Sequence, residues 1–213
     1  MLTTLTVTTP PAIEPVWLGL AKRHCRIDSD ADDTLIPSYI TAARVLVETY
    51  LSRVLITQTM LWTVTPQGRL PPHRQRLRGT LELPRAPVQS IASVTITDTL
   101  GNSTAITKTA LPVIPPATLI GWMADLFQSP ARIVIGRDTP LTGGGLTGAT
   151  EIENVQISFV AGYGTGPAAI PQPIIQAILL LVGFFYEHRG DSGGEMPAAV
   201  ERLLDPYRLM FVV

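Results

Sequence analysis

Arg26-Ile-Asp-Ser-Asp-Ala-Asp-Asp33, the periodic run that follows it to Arg53, and Leu55-Ile-Thr-Gln58 make one phrase near the start of a 213-residue chain. A second phrase stands near the end: Phe159-Val-Ala-Gly-Tyr-Gly164, a proline-bounded apolar run, and Val200-Glu-Arg-Leu-Leu-Asp-Pro-Tyr-Arg208. Both read as helix. In the first, Leu35, Ile36, Tyr39, Ile40, Ala43, Leu46, Val47 and Tyr50 recur at three and four, which puts them on one helix stripe, with Arg44, Glu48 and Arg53 off it. Pro37 falls in the first turn, where a missing N–H costs little. Asp32 and Asp33 stand where carboxylates meet the free N–H groups of a helix start.

Working outward, a shorter helix is expected from about Pro15 to Cys25, with Trp17, Leu18, Ala21 and Cys25 on one stripe. Residues 1–13 read as an extended lead-in, because Pro10 and Pro11 disfavour helix. At the other end, Pro173 suits a first helical position. Ile174, Ile175, Ile178, Leu179, Leu181, Val182, Phe185 and Tyr186 then make a helix apolar on most sides, which demands burial. Pro197 opens a last helix with Val200, Leu203, Leu204 and Tyr207 on one face, and the chain closes on Leu209-Met-Phe-Val-Val213.

Between the two phrases the period changes. Val54 to Thr65, Ile91 to Thr97, Thr104 to Thr109, Ala131 to Ile135 and Val155 to Val160 are rich in β-branched residues. Asp98-Thr-Leu-Gly-Asn102 reads as a hairpin loop, and Gly143-Gly-Gly145 marks a loop between strands. The fold class that follows is α+β: a discontinuous helical bundle from residues 1–53 and 167–213, with a β-rich insertion at 54–166.

Composition narrows the function. The chain is 46% apolar and only 15% charged, against the roughly 25% usual for a soluble domain. The deficit suggests surface covered by partners. The formal net charge of −1 excludes a chain that grips nucleic acid through bulk charge. A single cysteine, Cys25, excludes a disulfide framework and a multi-cysteine zinc site. Met1 to Pro11 has neither a basic region nor an apolar core, so no signal peptide is expected. The apolar run Ile174 to Tyr186 is shorter than the ~20 residues that cross a bilayer.

Several short motifs invite chemistry. Gly190-Asp-Ser-Gly-Gly194 spells the peptide around a serine protease nucleophile, but helices flank Ser192 on both sides, where that chemistry needs a triad on β-barrels. Arg189-Gly-Asp-Ser192 also spells an integrin-binding tetrapeptide; without secretion signals it reads as chance. Gly162-Tyr-Gly-Thr-Gly166 lies between strand and helix like a phosphate loop, yet no Lys-Ser/Thr follows and nearby prolines remove donors. It reads as a sharp turn. His24, His73 and His188 show no metal-ligand spacing. No catalytic, cofactor or metal residue is therefore expected, and the chain reads as no enzyme. Arg69, His73, Arg74, Arg76, Arg78 and Arg85 make the one basic concentration, with Arg69, Arg74, Arg76 and Arg78 the candidates for phosphate or an acidic partner.

Taken together, these phrases resemble the head–tail connector family of tailed phages, the gp6-like group and its longer gp8-like relatives, found also in prophages and gene transfer agents. The resemblance is carried by Arg26-Ile-Asp with Asp32-Asp33, Ala42-Ala43, Glu48-Thr-Tyr50 and Leu55-Ile-Thr-Gln58. For the longer branch it is carried by Leu83-Pro-Arg-Ala-Pro-Val-Gln-Ser90, Phe159 to Gly164, Tyr186-Glu-His-Arg189 and the terminal Val200 to Arg208. It implies an adaptor ring beneath the portal, twelve-fold to match it, built by cyclic self-assembly in the host cytoplasm and carried in the virion at the head–tail junction. Implied partners are the portal, tail or stopper/terminator proteins, and DNA passing through the lumen without sequence-specific binding. Neither membrane nor cofactor is implied. Tyr207, Arg208, Leu209, Met210, Phe211, Val212 and Val213 become the portal-contact candidates, since in relatives the C-terminal segment meets the portal. Two other readings stay open: a sugar- or peptide-binding module on the β insertion, and a hydrolase using Ser192.

Overall fold

The computed structural model describes residues 2–65, 80–109, 121–135, 152–189 and 196–210. Gly143 to Gly145, Gly190 to Gly194 with Ser192, and His73 lie outside the described residues. Helices and antiparallel sheets coexist, so the chain is α+β. It divides into two compact units. One holds Pro11–Thr57, Arg85–Pro87 and Gly162–Val213; the other holds Met1–Pro10, Gln58–Pro84 and Val88–Ala161.

The first unit carries α1 (Leu18–Cys25), α2 (Ile36–Leu51), α3 (Gln172–Glu187) and α4 (Ala198–Leu204). Its core is one cluster in which Ile36, Ile40, Ala43, Val47 and Leu51 of α2 meet Ile174, Ala177, Ile178 and Leu181 of α3, closed by Val200 and Leu204 of α4 and Ala21 of α1. Fully burying each of the Ile, Val and Leu side chains among these is worth about 1.5–3 kcal/mol. α1 and α2 both end on a residue with left-handed backbone, Arg26 (φ 55°) and Ser52 (φ 53°). The next N–H in each case reaches back to an orphan carbonyl, Ile27 to Lys22 and Arg53 to Glu48.

Three helical expectations are corrected. Asp32 and Asp33 do not cap α2, which begins at Ile36 without a side-chain cap. Asp33 pairs with Lys22 instead, and Asp32 with Tyr186 and Arg189. Trp17 is exposed rather than in the stripe, because it precedes α1 and its ring lies over Gly19 with the Arg23 guanidinium 5.0 Å from its centroid. Arg44 and Glu48 are buried, although they stand off the apolar stripe, because each meets an opposite charge.

The second unit contains β1 (Leu2–Thr9), β2 (Gln58–Thr65), β3 (Thr80–Glu82), β4 (Val88–Asp98), β5 (Ser103–Ile106), β6 (Trp122–Asp125), β7 (Arg132–Ile135) and β8 (Ile152–Ala161). Five strands form an antiparallel sheet in the order β1-β2-β8-β4-β5, and three form another, β3-β7-β6. Period-two alternation sets the registers. Met60, Trp62 and Val64 are buried and lie opposite the buried Phe159, Ile157 and Val155. At the β4–β5 hairpin, the Asp98 carboxylate accepts the N–H groups of Leu100 and Asn102. Residues 2–9 correct the placement of 1–53 with the helices: Leu, Val and Thr suit a strand, and β1 pairs along β2 from Leu2↔Thr65 to Thr9↔Thr59. The short strands β3 and β6 are additional to the expected set.

Candidate assembly surface

α2 holds its charges inward and shows solvent an uncharged face. On the inner side, Glu14 Oε2 accepts Arg44 Nε at 2.8 Å and Glu48 Oε2 accepts Arg44 Nη1 at 2.9 Å. Glu48 Oε1 accepts the Leu55 N–H at 2.8 Å. Burial pushes the Glu48 carboxyl above the usual glutamate range, more than the Leu55 N–H and Arg44 pull it down. Burial also works against the Arg44 charge, but Glu14 and Glu48 outweigh it and raise its value. The residue Arg85, from the Leu83–Ser90 phrase, packs here too. Its Nη1 donates to the Glu48 carbonyl at 3.4 Å, and burial lowers its value. Arg85 is thereby half-buried in the helical unit and leaves the basic concentration. Arg69, Arg74, Arg76 and Arg78 lie outside the described residues.

The outer face of α2 consists of Pro37, Ser38, Thr41, Ala42, Val45, Leu46 and Thr49, all exposed and none charged. Val45 is 49% exposed and Leu46 joins it, which corrects the placement of Leu46 on the apolar stripe with Val47. Thr41 Oγ1 donates to Glu14 at 3.0 Å, so the exposed Ile13 lies beside this face. A solvated helix face normally carries charges. This one offers small and apolar groups over four turns, a surface fitted to another protein face.

The C-terminal candidates divide. Arg53 Nε donates to the Tyr207 carbonyl, and the Arg208 guanidinium lies 5.1 Å from the Tyr50 ring centroid. Tyr50 Oη donates to Asp205 at 2.6 Å, which together with desolvation raises the phenol. Leu209 is 6% exposed and its N–H donates to the Leu51 carbonyl at 2.9 Å. Met210, one residue on, is 80% exposed. Phe211, Val212 and Val213 lie outside the described residues. The structure therefore anchors Leu209 and leaves Met210 exposed.

The two described histidines stand exposed on the helical unit. His24 lies beside Gly183 of α3, and the His188 ring stacks on Phe184 at 4.4 Å. Among the described residues no three His, Cys, Asp or Glu side chains gather as a metal site requires. Gly162 makes the sharp turn: at φ 137°, a Cβ there would stand 2.6 Å from the Thr57 nitrogen, so only glycine fits. Among the described residues no helix is long and apolar enough to cross a membrane. The Glu14–Arg44–Glu48 network is what sequence reasoning missed; the i,i+4 spacing of Arg44 and Glu48 was its one visible signal.

With this geometry in place, likeness to known proteins becomes interpretable. Residues 18–108 match the family described as "Phage gp6-like head-tail connector protein". Over nearly its whole length the chain is similar to a chain in "Neck of empty GTA particle computed with C6 symmetry", at 25% identity and a TM-score of 0.69, covering 99% of this chain and 97% of that one. It is as similar to a chain in "Virion of native gene transfer agent (GTA) particle", at 25% identity, TM-score 0.69 and coverage of 98% and 97%. A chain in "Neck of native GTA particle computed with C12 symmetry" shares the fold at 24% identity, TM-score 0.63 and coverage of 100% and 98%. No curated protein matches the chain.

Proposed function

We propose that this chain, a structural protein of the gp6-like head–tail connector kind, acts as one subunit of a closed ring at the head–tail junction of a virion. The supporting observation is the likeness, along almost the full chain, to a protein of a particle neck. The twelve-fold count follows the symmetry printed for one such neck. A ring of this kind is heterologous, each copy offering two different surfaces. The uncharged face of α2 is the first of them, with α4 contributing to the contact. Met210 to Val213 would reach the portal, and the β-bearing insertion at 54–166 would meet tail or stopper proteins. Assembly takes place in the host cytoplasm.

The role is binding alone, with no reaction and no cofactor. Apolar burial between copies supplies affinity, and the ring multiplies it. DNA crosses the lumen without being read. A near-neutral chain, net −1, suits that passage, because a basic lining would hold phosphates through counterion release.

Negative-stain imaging of the purified chain, alone and mixed with the portal of the same particle, tests this reading. Rings seated coaxially on the portal are expected in the mixture. A chain that stays dispersed beside intact portal rings refutes the assignment.

A further inference from the structure

The edge strand β1 is built unlike a strand that ends a sheet in water. Leu2 to Thr9 is Leu-Thr-Thr-Leu-Thr-Val-Thr-Thr, eight residues without a charge or a proline. Seven of the eight are exposed; Leu2 stands at 62% and Val7 at 45%. Its one partner among the described strands is β2, and among the described residues its far side carries no strand: a row of backbone N–H and C=O groups about 26 Å long. Free edges of that length are normally guarded by lysine, proline or a strong bulge, because they recruit foreign strands. Here the one irregularity lies at the very end, between Val7 and Thr9.

We infer that β1 is completed by a strand of a neighbouring copy of this chain, so that sheets join between subunits by backbone pairing. This rests on the ring reading above. A ring sets the same edge against the next copy at every step, and a heterologous contact needs a second surface besides α2. The chemistry of the occupant agrees. An uncharged threonine edge accepts a neutral strand, and the strand at the other end of the same sheet, β5, is of that kind: Ser103–Ile106 carries no charge and has β4 as its one partner among the described strands. Backbone pairing supplies affinity in such strand addition, while the alternating side chains set register.

Hydrogen–deuterium exchange on the monomer and on portal-seated rings tests the inference. In the monomer, every second amide of Leu2 to Thr9 points away from β2 and exchanges freely. In the ring these amides should slow by about a hundredfold or more. Rings whose outward β1 amides still exchange freely overturn the inference and leave the connector reading standing; absence of any ring overturns that reading and this one with it. A photoreactive side chain at Thr6 identifies the occupant. A covalent dimer of this chain supports the inference, and an adduct to portal or tail protein overturns it. The doubly guarded variant Thr4→Lys/Thr6→Lys, both sites exposed, should keep the wild-type melting temperature and lose ring formation. Rings as abundant as wild type would count against β1.

Discussion

Glu48 accepts the backbone N–H of Leu55 at 2.8 Å while its second oxygen receives Arg44 at 2.9 Å. One buried carboxylate thereby ties the end of α2 to the segment that follows it. Glu48→Ala strips a buried guanidinium of one partner and leaves the Leu55 N–H unmet. A loss of about 3 kcal/mol is expected. Glu48→Gln keeps the shape and an acceptor, and in acid should lose about 1 kcal/mol. Urea unfolding midpoints check both, with an unchanged slope showing that the denatured state is the same.

The same carboxyl makes stability depend on pH. Its folded value is raised by burial. Its contribution is therefore full below the ordinary glutamate value and lost as pH rises through the folded value. Measured against Glu48→Gln, the wild type should be relatively most stable in acid and lose that margin toward neutrality.

Asp32 works in the opposite sense. Hydrogen bonds from Arg189 and then Tyr186 hold its carboxyl below the usual aspartate range. Its contribution is full above the ordinary aspartate value and is lost as pH falls through the folded value. Thermal midpoints of wild type and Asp32→Asn should differ at neutral pH and converge on acidification.

Val45→Glu places a charge in the middle of the neutral α2 face. At an exposed position the folding stability should shift by no more than about 0.5 kcal/mol. Assembly on portal rings should weaken at least tenfold, about 1.4 kcal/mol per contact. Sedimentation of the mixture gives the first number its counterpart. Unchanged binding by a folded variant would remove α2 from the interface.

Two truncations that differ by one residue separate anchoring from docking. Removing Met210 to Val213 should leave the melting temperature intact and weaken portal binding. Removing Leu209 as well takes away a buried side chain and the bond to Leu51, lowering stability by about 2 kcal/mol. Equal stability of the two would show that Leu209 does not hold the segment.

Much of this was legible in the residues because periodicity reports burial. The stripe Ile36, Ile40, Ala43, Val47 and the all-round apolar α3 announced a packed helical core, and β-branched runs announced β2, β4, β7 and β8. What escaped depends on partners remote in sequence. Nothing local to Arg44 shows that Glu14, thirty residues earlier, will neutralise it. Nothing local to Leu2–Thr9 shows that Gln58–Thr65 waits to pair with it; the two prolines that end the strand argued only against helix. The three-residue β3 and the four-residue β6 are too short to carry a period. The candidate surface was half visible: low overall charge pointed to covered surface, but which helix face lacked charge became clear only once Arg44 and Glu48 turned inward.

Arg85, Ala86 and Pro87 belong to the helical unit although the chain places them between two strands. Ala86 accepts the Val54 N–H, Pro87 accepts the Gly162 N–H, and both bonds are 2.9 Å. A minimal version made by excising residues 58–161 and rejoining the flanks would carry every helix yet lack a panel of its own wall. The intervening polypeptide is thus no detachable ornament. Shortening this protein means grafting that tripeptide back, or supplying other acceptors for the Val54 and Gly162 N–H groups.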